Sequence, residues 1–442
     1  MLIFYKLIVL SFLINAITGI DNYENQQLAI RKIAKDAAWL WFNNESILFI
    51  NESLYIGCED SMGNSQVVMY QINDNPVNFS GIDYNLSSWE TRRRRYPTHN
   101  YPSLIKTQNG SILAVYHISG NHLYARTGQI INEGKPTQQL AWGKETVIQL
   151  ISGMNYSNLL QLSSDDALYN FFSLYNQSPS LIVSKDQGKS WGNEMVFMRQ
   201  GGTGTSPYMR LCSNGIDRID ILYTNGHPRT ETQNSIYHLY FKDHSFFRTD
   251  GSRIASLNEL IHGPLLPTSG TQISNGSISG PGWVWDIEYD TDHNPVAAFI
   301  TSADGKEGMD LRYYYAKWNA NKGKWFVQQI AYAGNHLYVP ENHFAGGITI
   351  DPENSSAVYI SSNVDPVTGR SVTGSHYQIY RGVTSDGGNS WDWKQLTNDD
   401  DRDNLRPIVP KGHNFEFCVI WFSQKISPGK GFDSEIRGIF EK

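Results

Sequence analysis

Cysteine is nearly absent from this 442-residue chain: Cys58, Cys212 and Cys418 are the only three, and no two form a C-x-x-C pair. An odd count leaves at least one thiol unpaired, and the missing spacing excludes a zinc ribbon. Buried apolar thiols are the reading that remains. Charge is also sparse. Asp, Glu, Lys and Arg make up 18% of the chain and sum to −7, which excludes nucleic-acid binding by bulk electrostatics. The one basic run, Arg92 to Arg95, reads as a solvated loop or, alternatively, as a patch that draws in an acidic substrate. Helical periodicity is scarce, with one helix-like patch at Gln26 to Trp39. Beyond the N-terminus no apolar run is long enough to cross a bilayer. The segment 1–19 has an early Lys6, an apolar run from Leu7 to Leu13 and small residues from Ala16 to Gly19. It reads as a secretory signal peptide, too short for a membrane span. No linker, low-complexity tract or charge block divides the remainder, so 20–442 is expected to be one secreted domain without stable membrane insertion. Nine Asn-x-Ser sequons agree with a secreted glycoprotein.

What the chain does have is a repeat. Short runs of aliphatic and aromatic residues recur at Leu54-Tyr55-Ile56, Ile112 to Tyr116, Leu168 to Phe172, Ile219 to Tyr223, Val296 to Ile300, Val358-Tyr359-Ile360 and Phe417 to Trp421. Their spacing, roughly 50 to 80 residues, is somewhat longer than a usual propeller blade. A second repeat is S-x-D-x-G-x-S-W, at Ser184 to Trp191 and, with Thr first, at Thr384 to Trp391. It resembles the Asp-box of sialidase-like propellers. In that motif the aspartate caps a tight turn, a glycine takes a positive φ and the tryptophan packs between sheets. Asp186 and Asp386 are therefore structural rather than catalytic. Both repeats predict an all-β, seven-bladed β-propeller with Asp-box repeats, closed so that no long sheet edge is exposed.

One stretch carries more polar chemistry than packing requires. From His99 to Arg126, three histidines (His99, His117, His122), Tyr124 and Arg126 flank a single hairpin. Rigid strands ending in such groups are how an all-β scaffold holds a site.

Eight segments, in order from Ala38 to the C-terminus, resemble the BNR-4 family of propellers, which includes ulvan lyases and rhamnose–glucuronate lyases. They are Ala38 to Phe42; His99-Asn100-Tyr101-Pro102-Ser103-Leu104; Pro207-Tyr208-Met209-Arg210; Asn225-Gly226-His227-Pro228 with Asn234 to Tyr237; Trp283 to Ile287; Arg312 to Trp318; Gly346-Gly347-Ile348; and Arg406-Pro407. The resemblance implies a groove for an acidic polysaccharide and a β-elimination, in which a uronate loses its C5 proton and the 4-linked sugar leaves. That chemistry needs a base, an acid for the leaving oxygen and positive charge at the carboxylate. His99 matches the family's His-Asn. The family's second histidine falls near Ser119, between His117 and His122, and His122 is favoured. Arg210 matches the basic residue after Pro-Tyr, as the carboxylate clamp. The catalytic set implied is His99, His122, Tyr208 and Tyr237, with Arg210, His117, Tyr124, Arg126, His227 and Asp286 binding substrate.

Each assignment has a plainer counterpart. Arg210 would make an interior ion pair, and His227 a structural hydrogen bond or a metal ligand. Tyr237 and His238 alternate, so only one faces the channel. Trp283 and Trp285 pack in the core, with Asp286 opposite them and free for sugar hydroxyls. Glu341 is a loop acid outside the set. No local metal spacing occurs, although a structural divalent metal assembled from distant blades is compatible with the fold. A rhamnosidase-like glycoside hydrolase and a non-catalytic carbohydrate-binding propeller are the competing readings; a hydrolase normally needs paired carboxylates.

Overall fold

A computed structural model of the chain describes residues 28–39, 46–61, 63–72, 82–85, 101–117, 120–134, 138–151, 153–174, 178–200, 205–304, 308–337, 339, 341–372, 374–427 and 431–442. The 1–19 segment, Arg92 to Arg95 and His99 lie outside the described residues. The strands form seven antiparallel sheets, the blades of a propeller. Blade 1 begins with Ile47–Ile50, blade 2 with Ser103–Lys106, blade 3 with Met154–Leu162 and blade 4 with Met209–Ser213. Blades 5, 6 and 7 begin with Gly282–Tyr289, Gly347–Asp351 and Asp403–Ile408. These first strands pack against one another around the axis, and each blade meanders outward from its own. All seven inner strands therefore run the same way. Their N-terminal ends share one face, here the upper face, with the loops that join second to third strands.

The seven apolar runs of the sequence are all second strands. Ser53–Glu59, Ile112–His117, Ala167–Leu174 and Pro295–Ser302 are buried at every position, because each is covered on both faces by neighbouring blades. Inner and outer strands carry mixed patterns and stand out less.

The helix-like patch is not a helix. Arg31–Lys35 is the outermost strand of blade 7, antiparallel to Gly431–Glu441, with Arg31 opposite Gly438 and Lys35 opposite Glu435. A bulge between Lys32 and Ala34 puts Ile33 and Ala34 both in the core, which breaks the two-residue alternation. The first and last described strands thus share one sheet and close the ring.

Both Asp-boxes sit on the turn after a third strand, in blades 3 and 6, on the lower face. The Asp386 carboxylate accepts the Ser390 amide (2.9 Å), the Ser390 hydroxyl (2.6 Å) and the Thr384 hydroxyl (2.8 Å). These bonds, led by the Ser390 hydroxyl, hold its pKa down at about 2. Gly388 has φ 99° and lies against the Tyr315 ring of blade 5, and Trp391 meets the same ring edge-on at 5.2 Å.

The lower end of the axis is crossed by the 409–416 turn of blade 7. Lys411 Nζ donates to the Ser213 carbonyl of blade 4 (3.0 Å) and the Gly412 amide to Glu353 of blade 6 (2.7 Å). His413 Nε2 lies 3.1 Å from Asp351 Oδ1, and both are buried. His413 Nδ1 accepts the Phe415 amide, so Nε2 carries the proton and donates to Asp351.

Trp421 is fully buried, and its Nε1 donates to Asn404 Oδ1 at 2.8 Å. Trp421→Ala is expected to cost about 3–5 kcal/mol, read from urea unfolding midpoints. Asp386→Ala is expected to lower the melting temperature while leaving any ligand affinity on the upper face unchanged.

Candidate functional site

Strand alternation at blade 4 builds the site. Met209 and Leu211 pack toward blade 3, while Tyr208, Arg210 and Cys212 face blade 5. Tyr208 stands at the upper end, its ring 4.6 Å from Trp283 of blade 5 and 5.8 Å from Tyr156 of blade 3. His227 lies in the loop after the second strand of blade 4, anchored by its amide on Thr205 Oγ1 (3.1 Å) and its carbonyl on the Glu231 amide (2.7 Å). Its ring is 5.4 Å from Tyr208 and 5.1 Å from Trp283. The loop before blade 6 brings Glu341 and Phe344 to the same place, with Phe344 4.9 Å from Trp283.

Hydrogen bonding fixes the His227 tautomer. Nδ1 accepts the Arg229 amide (3.1 Å), so Nε2 carries the proton. Nε2 lies 3.3 Å from Glu341 Oε2, and the Arg229 guanidinium holds Oε1 at 2.5 Å. The Nε2 contact is misaligned for a hydrogen bond, so Oε2 has none among the described residues. Burial, with Arg229 and His343 adding, pulls His227 down to about 4 and keeps it neutral. Burial raises Glu341 against the opposing charge of Arg229. It also pushes the Tyr208 phenol up to about 12, against a hydrogen bond with Tyr156. His343 is buried and likewise held down near 4, and its Nδ1 has no hydrogen-bond partner among the described residues. One small volume thus contains a neutral imidazole, a protonated phenol and a carboxylate with an unoccupied oxygen.

A second layer lies beneath. Arg210 is buried and its charge opposes the burial that raises Asp286. A bulge at Val284 to Asp286 turns Asp286 to the same side as the tryptophans. Its carboxylate there accepts Thr349 Oγ1 (2.9 Å), the Ile350 amide (2.7 Å) and its neighbour Ile287's amide (2.8 Å). Burial outweighs the opposing charge of Lys411 and lifts Glu288 to about 8.

The residues singled out in the sequence fall into separate groups. Tyr208 and His227 come together, and Arg210 is buried below them, close enough for its charge to act on Asp286. The expectation that Asp286 lies free opposite the tryptophans is corrected by the bulge, because its oxygens are taken by protein groups. His117 and His122 are on the upper face of blade 2, where His117 Nδ1 donates to the His122 carbonyl (3.0 Å). Tyr124 stacks on Tyr116 at 5.9 Å, and Arg126 Nε donates to the Gly143 carbonyl (3.0 Å), in the seam toward blade 1. Tyr237 is stacked on Tyr223 (5.8 Å) in a third strand. His238 on that strand is buried against Asp220 (2.9 Å), so neither lines the axis. Sequence reasoning set Glu341 aside and passed over Arg229 and His343. The signal available for Arg229 was its spacing of two from His227. Glu341 and His343 carried none, because their burial is set by distant blades. Arg406 was noticed only as a motif. It has φ 51° and sits over Trp285 at 5.4 Å. Among the described residues no group of three or more His, Cys, Asp or Glu is arranged to hold a metal ion, and no helix is long and apolar enough to cross a membrane.

His227 and His343 are depressed from 6.5 to about 4. Their contribution to stability is complete above pH 6.5 and is lost as pH falls toward 4, because the unfolded chain binds the protons first. In that window stability is expected to fall by up to about 1.4 kcal/mol per pH unit for each histidine. Urea midpoints at pH 7, 6 and 5 check this, with His343→Gln expected to flatten the slope by one proton.

Among solved structures, a PL25 ulvan lyase bound to GlcA(1-4)Rha3S is similar over 93% of this chain and 96% of its own, with a TM-score of 0.63 and 13% identity. The same figures hold for that lyase family's structure reported without the sugar. An α-L-arabinanase of Penicillium chrysogenum, complexed with arabinobiose, is similar over 77% of this chain and 93% of its own, at 12% identity and a TM-score of 0.42. No curated protein matches the chain. The profile of the BNR repeat-containing family matches residues 53–333, well over half the sequence, and the chain belongs to that family.

Proposed function

We propose that the protein is a secreted polysaccharide lyase that cleaves a uronate-containing, rhamnose-rich glycan by β-elimination on the upper face of the propeller. The observation that carries this reading is the triple of Tyr208, His227 and Glu341. It supplies a phenol kept protonated by burial and a carboxylate whose basicity burial raises. Glu341 Oε2 takes the C5 proton: its lone pairs are unoccupied among the described residues, burial strengthens it as a base, and the Arg229 guanidinium orients the carboxylate through Oε1. The Tyr208 phenol, kept protonated by burial, delivers a proton to the departing O4. Charge accumulates on the uronate carboxylate as C5 loses its proton, and the half-exposed Arg229 guanidinium lies where it can meet that charge. Arg210, buried below, adds a fixed positive field. Trp283 and Phe344, both buried, form the apolar backing of Tyr208 and His227, and the half-buried Tyr156 ring lies beside them. The fold shared with an ulvan lyase supports the reading, as do the family motifs around His99, a residue outside the described set. His122 stands on the same face and is retained as a second candidate for proton transfer.

The competing hydrolase reading is favoured by one observation, the raised Glu341 carboxyl, which a glycosidic general acid also requires. No second carboxylate contacts the Tyr208–His227 pair among the described residues.

Incubation with ulvan is expected to give product absorbing in the near ultraviolet, from a C4–C5 double bond conjugated to the carboxylate. Saturated sugars without that absorbance would establish hydrolysis instead, and binding without any release would establish a lectin. Glu341→Gln and Tyr208→Phe are each expected to lower kcat by about 10²–10⁴, measured as the rate of absorbance increase. Activity requires Glu341 ionised and Tyr208 protonated. The acid limb of the pH–rate profile is therefore expected to lie above the ordinary glutamate range, and the alkaline limit near 12.

A further inference from the structure

A second polar pocket opens on the upper face, across the axis from the Tyr208–Glu341 cluster. It has a volume of about 500 Å³ and lies at the seam of blades 7 and 1, where the chain closes its ring. Lys32, Lys35 and Arg402 line it together with Asp36, Asp433 and Glu435. Formal charge is balanced, so bulk field cannot select a ligand, and the unsatisfied groups decide. The three carboxylates are occupied. Asp36 accepts the Ser61 amide (2.9 Å) and hydroxyl (3.0 Å). Glu435 is paired with Lys32 and with Arg437 Nε (2.6 Å), and Asp433 with Arg402 NH2 (3.1 Å).

The cations are not fully used. Arg402 has a side chain only 14% exposed, and its buried NH1 has no hydrogen-bond partner among the described residues; Glu435 Oε1 is 3.8 Å away, too far for one. Lys35 is exposed and makes no ion pair among the described residues. A buried guanidinium N–H without an acceptor is costly unless something supplies the acceptor. A fixed guanidinium beside a mobile ammonium is suited to an oxyanion.

We propose that this pocket binds the oxyanion of a sugar, a uronate carboxylate or a sulfate ester, between Arg402 NH1 and Lys35 Nζ. In assigning the oxyanion to the acidic polymer, this rests on the lyase reading; the oxyanion site itself does not. The two donors make it a modest site for one group, useful to a polymer that is also held elsewhere on the face.

The test uses the intact protein, with sodium sulfate and sodium glucuronate as probes and sodium chloride at matched ionic strength as control. Thermal midpoints are expected to rise saturably with at least one probe and not with chloride, and the tighter probe identifies the group. Lys35→Ala and Arg402→Gln are each expected to weaken the response at least fivefold, and Glu341→Gln to leave it unchanged. Lys35→Ala removes no pairing, so it remains informative if Arg402→Gln does not fold. A response equal to that of chloride, one that survives in Lys35→Ala, or one lost in Glu341→Gln would overturn the proposal. None of these readouts depends on turnover, so the lyase reading can fail while the oxyanion site stands, and the reverse.

Discussion

Ring closure is the constraint from which the rest follows. The first described strand pairs with the last, Arg31–Lys35 against Gly431–Glu441, and Gly438 sits so close to Ile420 and Phe440 that a Cβ there would clash with both, with Ile33 only slightly farther. A sheet shared by these two strands ties the blades into a circle and leaves no long edge exposed. Closure also holds seven parallel inner strands around one axis. Residues far apart in sequence, such as His227 and Glu341, then meet only because their loops leave the same face.

The burial that makes the propeller stable also sets the chemistry of its upper face. Tyr208 and His227 lie among aromatic rings, and for these two as for Glu341 and His343 loss of water moves the group toward its uncharged form. Arg229 limits this for Glu341 and reinforces it for His227. The result is a set of groups poised for proton transfer without a metal ligand arrangement among the described residues. Under it, Asp286 is taken up with blade 6 through Thr349 and Ile350, and the buried Arg210 acts on it through its charge.

The blade count was legible because one strand per blade is covered on both sides, and continuous apolar runs such as Leu168 to Phe172 survive in the sequence. The Asp-boxes were legible because their chemistry is local: every bond of Asp386 is made within four residues. Arg31–Lys35 misled, since a bulge that buries Ile33 and Ala34 in succession imitates helical spacing. The same effect at Val284 to Asp286 reversed the side on which Asp286 lies. Tyr208 and His227 were found because they stand in recognisable motifs. Glu341 was not, because what distinguishes it from any loop acid is its neighbours: Arg229, 112 residues earlier, and a burial supplied by other blades. Only tertiary structure carries that information.

The 409–416 turn, pinned to blades 4 and 6 by Lys411, Gly412 and His413, makes the molecule a cup rather than a tube. A ligand that enters the axis from the upper face therefore leaves by the side it entered.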